Sequence, residues 1–245
     1  MPTIIYSYLK FIKNIVSESY HSYSQISSNP NTPSTPTSSM PLRLQPVYGI
    51  GLETKLHEKI VHRMTGYHGL QAVKIGNNYF QRSEHDTAAM VILAISQVFF
   101  DSRLRNMGDK SLFKMLEDLG MESVSLFEKE SDGPWGLSEK KVYTIVTVAC
   151  WSACEHLAKI AHKMNIQDRQ KYWKSYADII KSMIMARAFS KDLNCFVGSF
   201  GGEDVDATLL LLPQFNFICK FFFLNPSPRP NKQINKQIPV LKPFI

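Results

Sequence analysis

Residues 142–161 read VYTIVTVACWSACEHLAKIA, and this stretch decides the fold class. It is one long helix, opened by Ser138 with Glu139, in which Trp151 lies among Val148, Cys150 and Cys154 as core. Working outward, an apolar stripe at three- and four-residue spacing begins near His85 and runs through Met90, Leu93, Ala94 and Val98, which predicts an earlier helix. Asp109 is placed to cap the next one, where Leu112, Met115, Leu116 and Leu119 repeat the period. Downstream, Gln167 to Phe189 predicts a helix burying Trp173, Tyr176, Ile179, Ile180, Met183 and Ile184, and a shorter one runs from about Asp206 to Leu212 and stops at Pro213. Helices joined by short loops, with no strand alternating between them, predict an all-α domain of stacked antiparallel pairs.

That domain is expected over residues 41–218. From Pro41, Leu42, Leu44, Val47, Tyr48 and Ile50 alternate with polar or small residues as an extended lead-in, and Gly66 to Gly76 reads as a loop. Residues 1–40 form a low-complexity N-terminal segment and linker. The apolar cluster Ile4, Ile5, Tyr8, Leu9, Phe11, Ile12, Ile15 and Val16 is broken by Lys10 and Lys13 and lacks the ordered parts of a secretory signal, which leaves a short amphipathic helix or an imperfect targeting peptide. Residues 17–40, rich in Ser, Asn, Thr and Pro, read as a disordered linker. Residues 219–245 read as an unstructured tail, or as foreign sequence beyond the true reading frame.

A chain of 245 residues, 44% hydrophobic and 20% charged, has room for one sizeable core. Its net charge of +7 owes much to Arg229, Lys232, Lys236 and Lys242 in the tail, so no nucleic-acid partner is expected. Phe217 to Leu224 is apolar but interrupted by Lys220 and far shorter than the roughly twenty residues that span a bilayer, so no membrane partner is expected. Cys150, Cys154, Cys195 and Cys219 are too irregular for a disulfide framework. Cys150 and Cys154 share a helix face, yet His156 and His162 do not complete a zinc pattern; a buried thiol pair is expected, with no metal and no cofactor. Compartment and oligomeric state are left open.

Several blocks, taken in order, resemble glycoside hydrolase family 15, the glucoamylase and trehalase-like enzymes. Residues 46–58, PVYGIGLETKLHE, are similar to the family's Tyr-Gly-Ile followed by a Glu-x-x-Leu-x-Glu run. Residues 66–77, GYHGLQAVKIGN, resemble its Gly-Tyr-x-Gly and then Pro-Val-Arg-Ile-Gly-Asn, with Ala72 and Lys74 in place of Pro and Arg. His85-Asp86 stands where the family places an Asp after that Asn. FFDSRL at 99–104, CWSACEHLAKIA at 150–161 and SFGGEDVDATLLLLP at 199–213 fit the same scheme. The resemblance covers residues 41–218 and implies a partial (α/α)6 barrel, less than half of a ring of helical hairpins that carries its sugar site at one end.

Inverting glycosidases need one carboxylic acid to protonate the leaving oxygen and one carboxylate to activate water, about 6.5–9.5 Å apart. The resemblance puts the acid at the Glu of a Trp-Glu-x-Arg motif, and here the sequence is Trp135-Gly136-Leu137-Ser138. No catalytic residue is therefore assigned, and little activity is expected, since an acid of this kind contributes roughly 10²- to 10⁴-fold. Glu139 reads as a glutamate at a helix start beside Lys140 and Lys141. The family's second carboxylate belongs to its last helical pairs, and its early Arg-Asp pair has no counterpart before Pro41.

One wall of a sugar site is left. Asp86 would accept hydrogen bonds from glucose hydroxyls with His85 beside it, and Trp135 would stack on a pyranose face. From the residues alone, Asp86 equally pairs or caps at a helix start and Trp135 is a packed loop aromatic. Asp204 and Asp206 are expected to cap the helix before LLLLP. Glu155 and His156, where the family shows Asp-Arg, are expected to bridge structurally. The expected partner is an α-glucoside. A non-catalytic carbohydrate-binding or regulatory domain, as in the glucoamylase-like regulatory subunits of phosphorylase kinase, and a gene-model fragment without an independent fold stand as alternatives.

Overall fold

The computed structural model describes residues 2–27, 44–70, 73–104, 108–136 and 139–218. Within these, five α-helices follow one another: α1 (Pro2–Ser27), α2 (Thr87–Phe100), α3 (Lys110–Leu126), α4 (Thr144–Lys163) and α5 (Gln167–Arg187). The described chain is mostly helical, as the periodicity predicts.

α4 is the centre of the packing. Every residue from Thr144 to Cys154 is buried, followed by Leu157, Ala158, Ile160 and Ala161, as befits a helix that is apolar all round. It packs most extensively on α5 and also against α2 and α3. It begins later than Ser138 and Glu139 predict: Lys141 pairs with Ser131 and Tyr143 with Ser199, so the backbone before Thr144 is committed to β-bridges. Ser138 itself lies outside the described residues. The Thr144 hydroxyl then donates to the Val197 carbonyl at 2.6 Å, tying the helix start to a distant loop.

α5 returns beside α4 through a tight connection with Asn165 at φ 58. Its buried stripe is Trp173, Ala177, Ile180 and Ile184, at the three- and four-residue spacing of one helix face. Ile179, expected on that stripe, is 54% exposed because it is one residue out of phase with it. α3 is capped as expected, Asp109 accepting from the Leu112 N–H at 2.7 Å. Gly120 lets α3 approach closely: a Cβ there would lie 2.5 Å from Leu157 Cδ1 and 2.6 Å from Trp173 Cη2. In the same contact Glu117, buried, accepts from Trp173 Nε1 at 2.7 Å and from Arg169 Nε at 2.6 Å.

α1 is longer than the short amphipathic helix expected for the first sixteen residues. Leu9, Ile12, Ile15 and Val16 are buried in the common core, and residues 17–27, read as linker, continue the helix. The remainder of the expected linker, residues 28–40, the first three residues of the expected lead-in, 41–43, and the expected tail, 219–245, lie outside the described residues. Two small antiparallel hairpins interrupt the helical pattern: β1 (Lys59–Ile60) with β2 (Lys74–Ile75), and β3 (Phe189–Ser190) with β4 (Cys195–Phe196). The first spans the glycine loop predicted at 66–76. The second, between α5 and a 3₁₀ segment Ala207–Leu211, was not expected from the pattern. Among the described residues no helix is long and apolar enough to cross a membrane.

Candidate functional site

Three segments meet at the N-terminal end of α2 and α4. These are the approach to α2, the α3–α4 connection, and the loop leading to the 3₁₀ segment. Asp132 Oδ2 accepts from the Ser83 N–H at 2.7 Å. The Thr144 N–H donates to the Gly198 carbonyl at 2.9 Å, and Gly198 N–H to the Asp204 carbonyl at 2.8 Å. These bonds tie the α2 approach to the α3–α4 connection and the start of α4 to the loop that leads to the 3₁₀ segment.

His85 is buried, 4% exposed. Its Nδ1 lies 3.2 Å from the Lys129 carbonyl oxygen, and Nε2 3.1 Å from Ser83 Oγ. Since a carbonyl only accepts, Nδ1 carries the proton and Nε2 takes the Ser83 hydroxyl. The ring therefore joins the α2 approach to the α3–α4 connection. The Cys150 thiol donates to the His85 carbonyl at 3.6 Å, fastening the same residue to α4.

Asp86 is half-buried at the N-cap of α2 but its side chain makes no capping hydrogen bond. Burial pushes its pKa above the ordinary carboxylate value, against a hydrogen bond from its own backbone. Glu84, two residues earlier, is buried and also raised, first by burial and then by the charges of Asp86 and Asp132; the Tyr79 hydroxyl donates to it at 2.9 Å. Tyr79 is in turn pushed up to about 12, by burial and then by Glu84.

Trp135 sits in the turn Gly133-Pro134-Trp135-Gly136, closed by the Gly136 N–H to the Gly133 carbonyl at 3.0 Å. Pro at the second position and Gly at the fourth suit such a turn. The indole is 56% exposed, not packed away, and its Nε1 donates to Asp206 Oδ2 at 2.7 Å. Asp206 caps the 3₁₀ segment as expected, Oδ1 accepting from the Thr208 N–H at 2.7 Å and hydroxyl at 2.6 Å. Burial raises the Asp206 pKa, but the Thr208 and Trp135 hydrogen bonds outweigh it and hold the carboxyl below its ordinary value.

Gly136 has φ 59, the left-handed region, and a Cβ there would meet the Arg82 guanidinium. Arg82 Cζ lies 4.9 Å from the Tyr79 ring centroid, and its guanidinium has no hydrogen bond or ion pair among the described residues. Arg82 was not singled out from the sequence, and neither were Tyr79, Glu84 and Asp132. No local motif marks them, because a turn more than fifty positions away brings Gly136 to Arg82. No hydrogen bond or ring contact joins Asp86 to Trp135 among the described residues; Arg82, four residues before Asp86, lies against Gly136, the neighbour of Trp135.

A trehalase of Mycobacterium tuberculosis is 27% identical to this chain over 176 residues, which are 71% of the chain and 25% of that protein. A trehalase of Mycolicibacterium smegmatis is 26% identical over 176 residues, 71% of the chain and 26% of that protein. One of Thermoplasma volcanium is 27% identical over 177 residues, 72% of the chain and 28% of that protein. The chain is similar to trehalases over about seven-tenths of its length. It spans about a quarter of the length of these curated relatives. No family model matches the chain, and no solved structure does.

Three further residues differ from their expectation. Glu139 does not stand at a helix start: it is exposed in the α3–α4 connection and pairs with Lys141 at 3.1 Å. Glu155 and His156 do not bridge each other. Glu155 pairs with Lys174 of α5 at 2.6 Å, and His156 Nδ1 lies 2.8 Å from the Ser152 carbonyl. Cys150 and Cys154 are both buried, and burial pushes the Cys154 thiol up to about 12.

Proposed function

We propose that this chain is a glycoside hydrolase family 15-like protein of carbohydrate metabolism that recognises an α-glucoside and, as it stands, does not cleave it. The similarity to trehalases supports the lineage. The antiparallel α4–α5 pair, with α2 and α3 against it, supports its reading as part of an (α/α)6 ring. In this reading the sugar lies at the N-terminal end of α2 and α4. Its hydroxyls donate to Asp86 and accept from Arg82, while its ring stacks on Trp135. The Asp206 bond fixes the indole in advance, so little side-chain freedom is lost on binding. His85, with both nitrogens engaged, holds Ser83 and the Lys129 loop beside Asp86.

The observation that carries the inactivity is Gly136. Inverting cleavage of an α-glucosidic bond, the chemistry of the intact relatives, requires a proton on the departing oxygen. The family's donor position holds no side chain here, and Arg82, always charged, stands beside it. Glu139 offers no substitute, being exposed and paired with Lys141. A second reading, a carbohydrate-binding or regulatory domain with no catalytic role, is favoured by the Trp135–Asp206 bond, which presents an exposed indole beside a position with no acid.

The test is glucose release from trehalose and maltose by the full chain. The expected outcome is none above the uncatalysed background. Turnover of about 1 s⁻¹ or faster, the ordinary range for enzymes, would overturn the proposal.

A further inference from the structure

At the opposite end of α4 from the candidate site, a groove of about 690 Å³ opens between the C-terminal ends of α2 and α4 and the first turns of α5. That volume lies within the roughly 300–1,000 Å³ of small-molecule sites. Its ionised lining is Lys159, Lys163 and Lys174 against one carboxylate, Glu155. Lys174 is answered by Glu155 at 2.6 Å and by Asp178 at 3.0 Å. Lys159 and Lys163 have no ion-pair partner among the described residues. They are four apart on α4, neighbours on one helix face, where like charges repel. The helix dipole favours a cation at Lys163, in the last turn, but its effect fades by Lys159 one turn earlier.

The neutral part of the groove suits a polyhydroxylated body. Phe100 forms one wall, with Lys163 Nζ 5.6 Å from its ring centroid. His162 Nδ1 lies 3.2 Å from Gln170 Oε1, which engages the Gln170 carbonyl and leaves its amide nitrogen as a donor without a partner among the described residues.

We propose that this groove is a binding site for a sugar phosphate, separate from the candidate glucoside site and independent of how that site is read. The Lys159 and Lys163 ammonium groups bracket the phosphate dianion, whose oxygens accept charge-assisted hydrogen bonds from both. The Gln170 amide donates to a sugar hydroxyl, and the sugar ring lies against Phe100. Binding of the dianion relieves the Lys159–Lys163 repulsion, so affinity and local stability rise together.

The test is calorimetric titration of the full chain carrying Trp135→Ala, so that the other site does not contribute, with glucose 6-phosphate, glucose and inorganic phosphate. Saturable binding of glucose 6-phosphate is expected. It should weaken with added potassium chloride and weaken by about tenfold or more in the Lys159→Gln, Lys163→Gln double variant. Lys159→Arg with Lys163→Arg keeps both charges and should keep binding, and a thermal melt of each variant checks its fold. Equal affinity for inorganic phosphate would overturn the sugar part of the assignment, and equal affinity for glucose the phosphate part. Absence of saturable binding, or binding that survives the double glutamine variant in a folded chain, would overturn the site.

Discussion

Gly136 carries the most weight of any single position, and its geometry makes a simple reversal fail. At φ 59 a side chain costs about 1–2 kcal/mol of backbone strain, so Gly136→Glu should lower the unfolding free energy by roughly that amount in a denaturant titration. It should not by itself release glucose, because Arg82 beside it would hold the new carboxyl ionised when a proton donor is needed. Asp86 yields a prediction of the opposite kind. Its folded pKa is raised above the ordinary 3.8, so ionising it costs stability that is fully kept only below that value and lost as pH rises through the folded pKa. Asp86→Asn should therefore melt no lower than the parent at neutral pH, should flatten the acid-side slope of melting temperature against pH, and should abolish sugar binding. A variant that melts lower and binds normally would place Asp86 among the structural groups. At this scale the sequence was legible where chemistry is local. Asp109 and Asp206 cap where their spacing predicts, and Trp135 and Asp86 stand out by motif. Arg82 was not legible, since its environment is made by a turn remote in sequence, and His85 reads as a surface partner of Asp86 until its burial is seen.

At the scale of elements, α4 was legible because its apolar residues cover every face and need neighbours all round. Its first turn was not: residues 139–143 look helical in isolation but are held by partners at Ser131 and Ser199. The β1–β2 and β3–β4 hairpins, two residues per strand, are too short for any alternation to show. The α3–α4–α5 contact gives a test of packing. Gly120→Ala should gain about 1 kcal/mol of helix propensity yet lose about 1–3 kcal/mol by overpacking Leu157 and Trp173. Trp173 is fully buried and its indole nitrogen is held by Glu117, so it has little room to shift. The clash should win, lowering the denaturant midpoint with the slope unchanged.

At the scale of the whole molecule, one end of the helical layer gathers the loops that bear Asp86, Trp135, Arg82 and Gly136, and the other bears the basic groove. The helical class and the resemblance to trehalases were both legible before any coordinates, because periodicity and ordered blocks survive at about 27% identity. The apolar cluster of α1 was legible as an amphipathic helix, but its place on the common core and its continuation through residues 17–27 were not, because the composition there suggested a linker. In the reading proposed above, the loop-bearing end recognises an α-glucoside without a proton donor at Gly136. Calorimetric injection of trehalose into the full chain tests both halves at once, since binding heat saturates whereas hydrolysis gives continuous heat. Saturable heats that decay fully after each injection and vanish in Trp135→Ala are expected. Sustained heat of turnover, or no saturable heat at all from a chain with a cooperative melt, would contradict that reading.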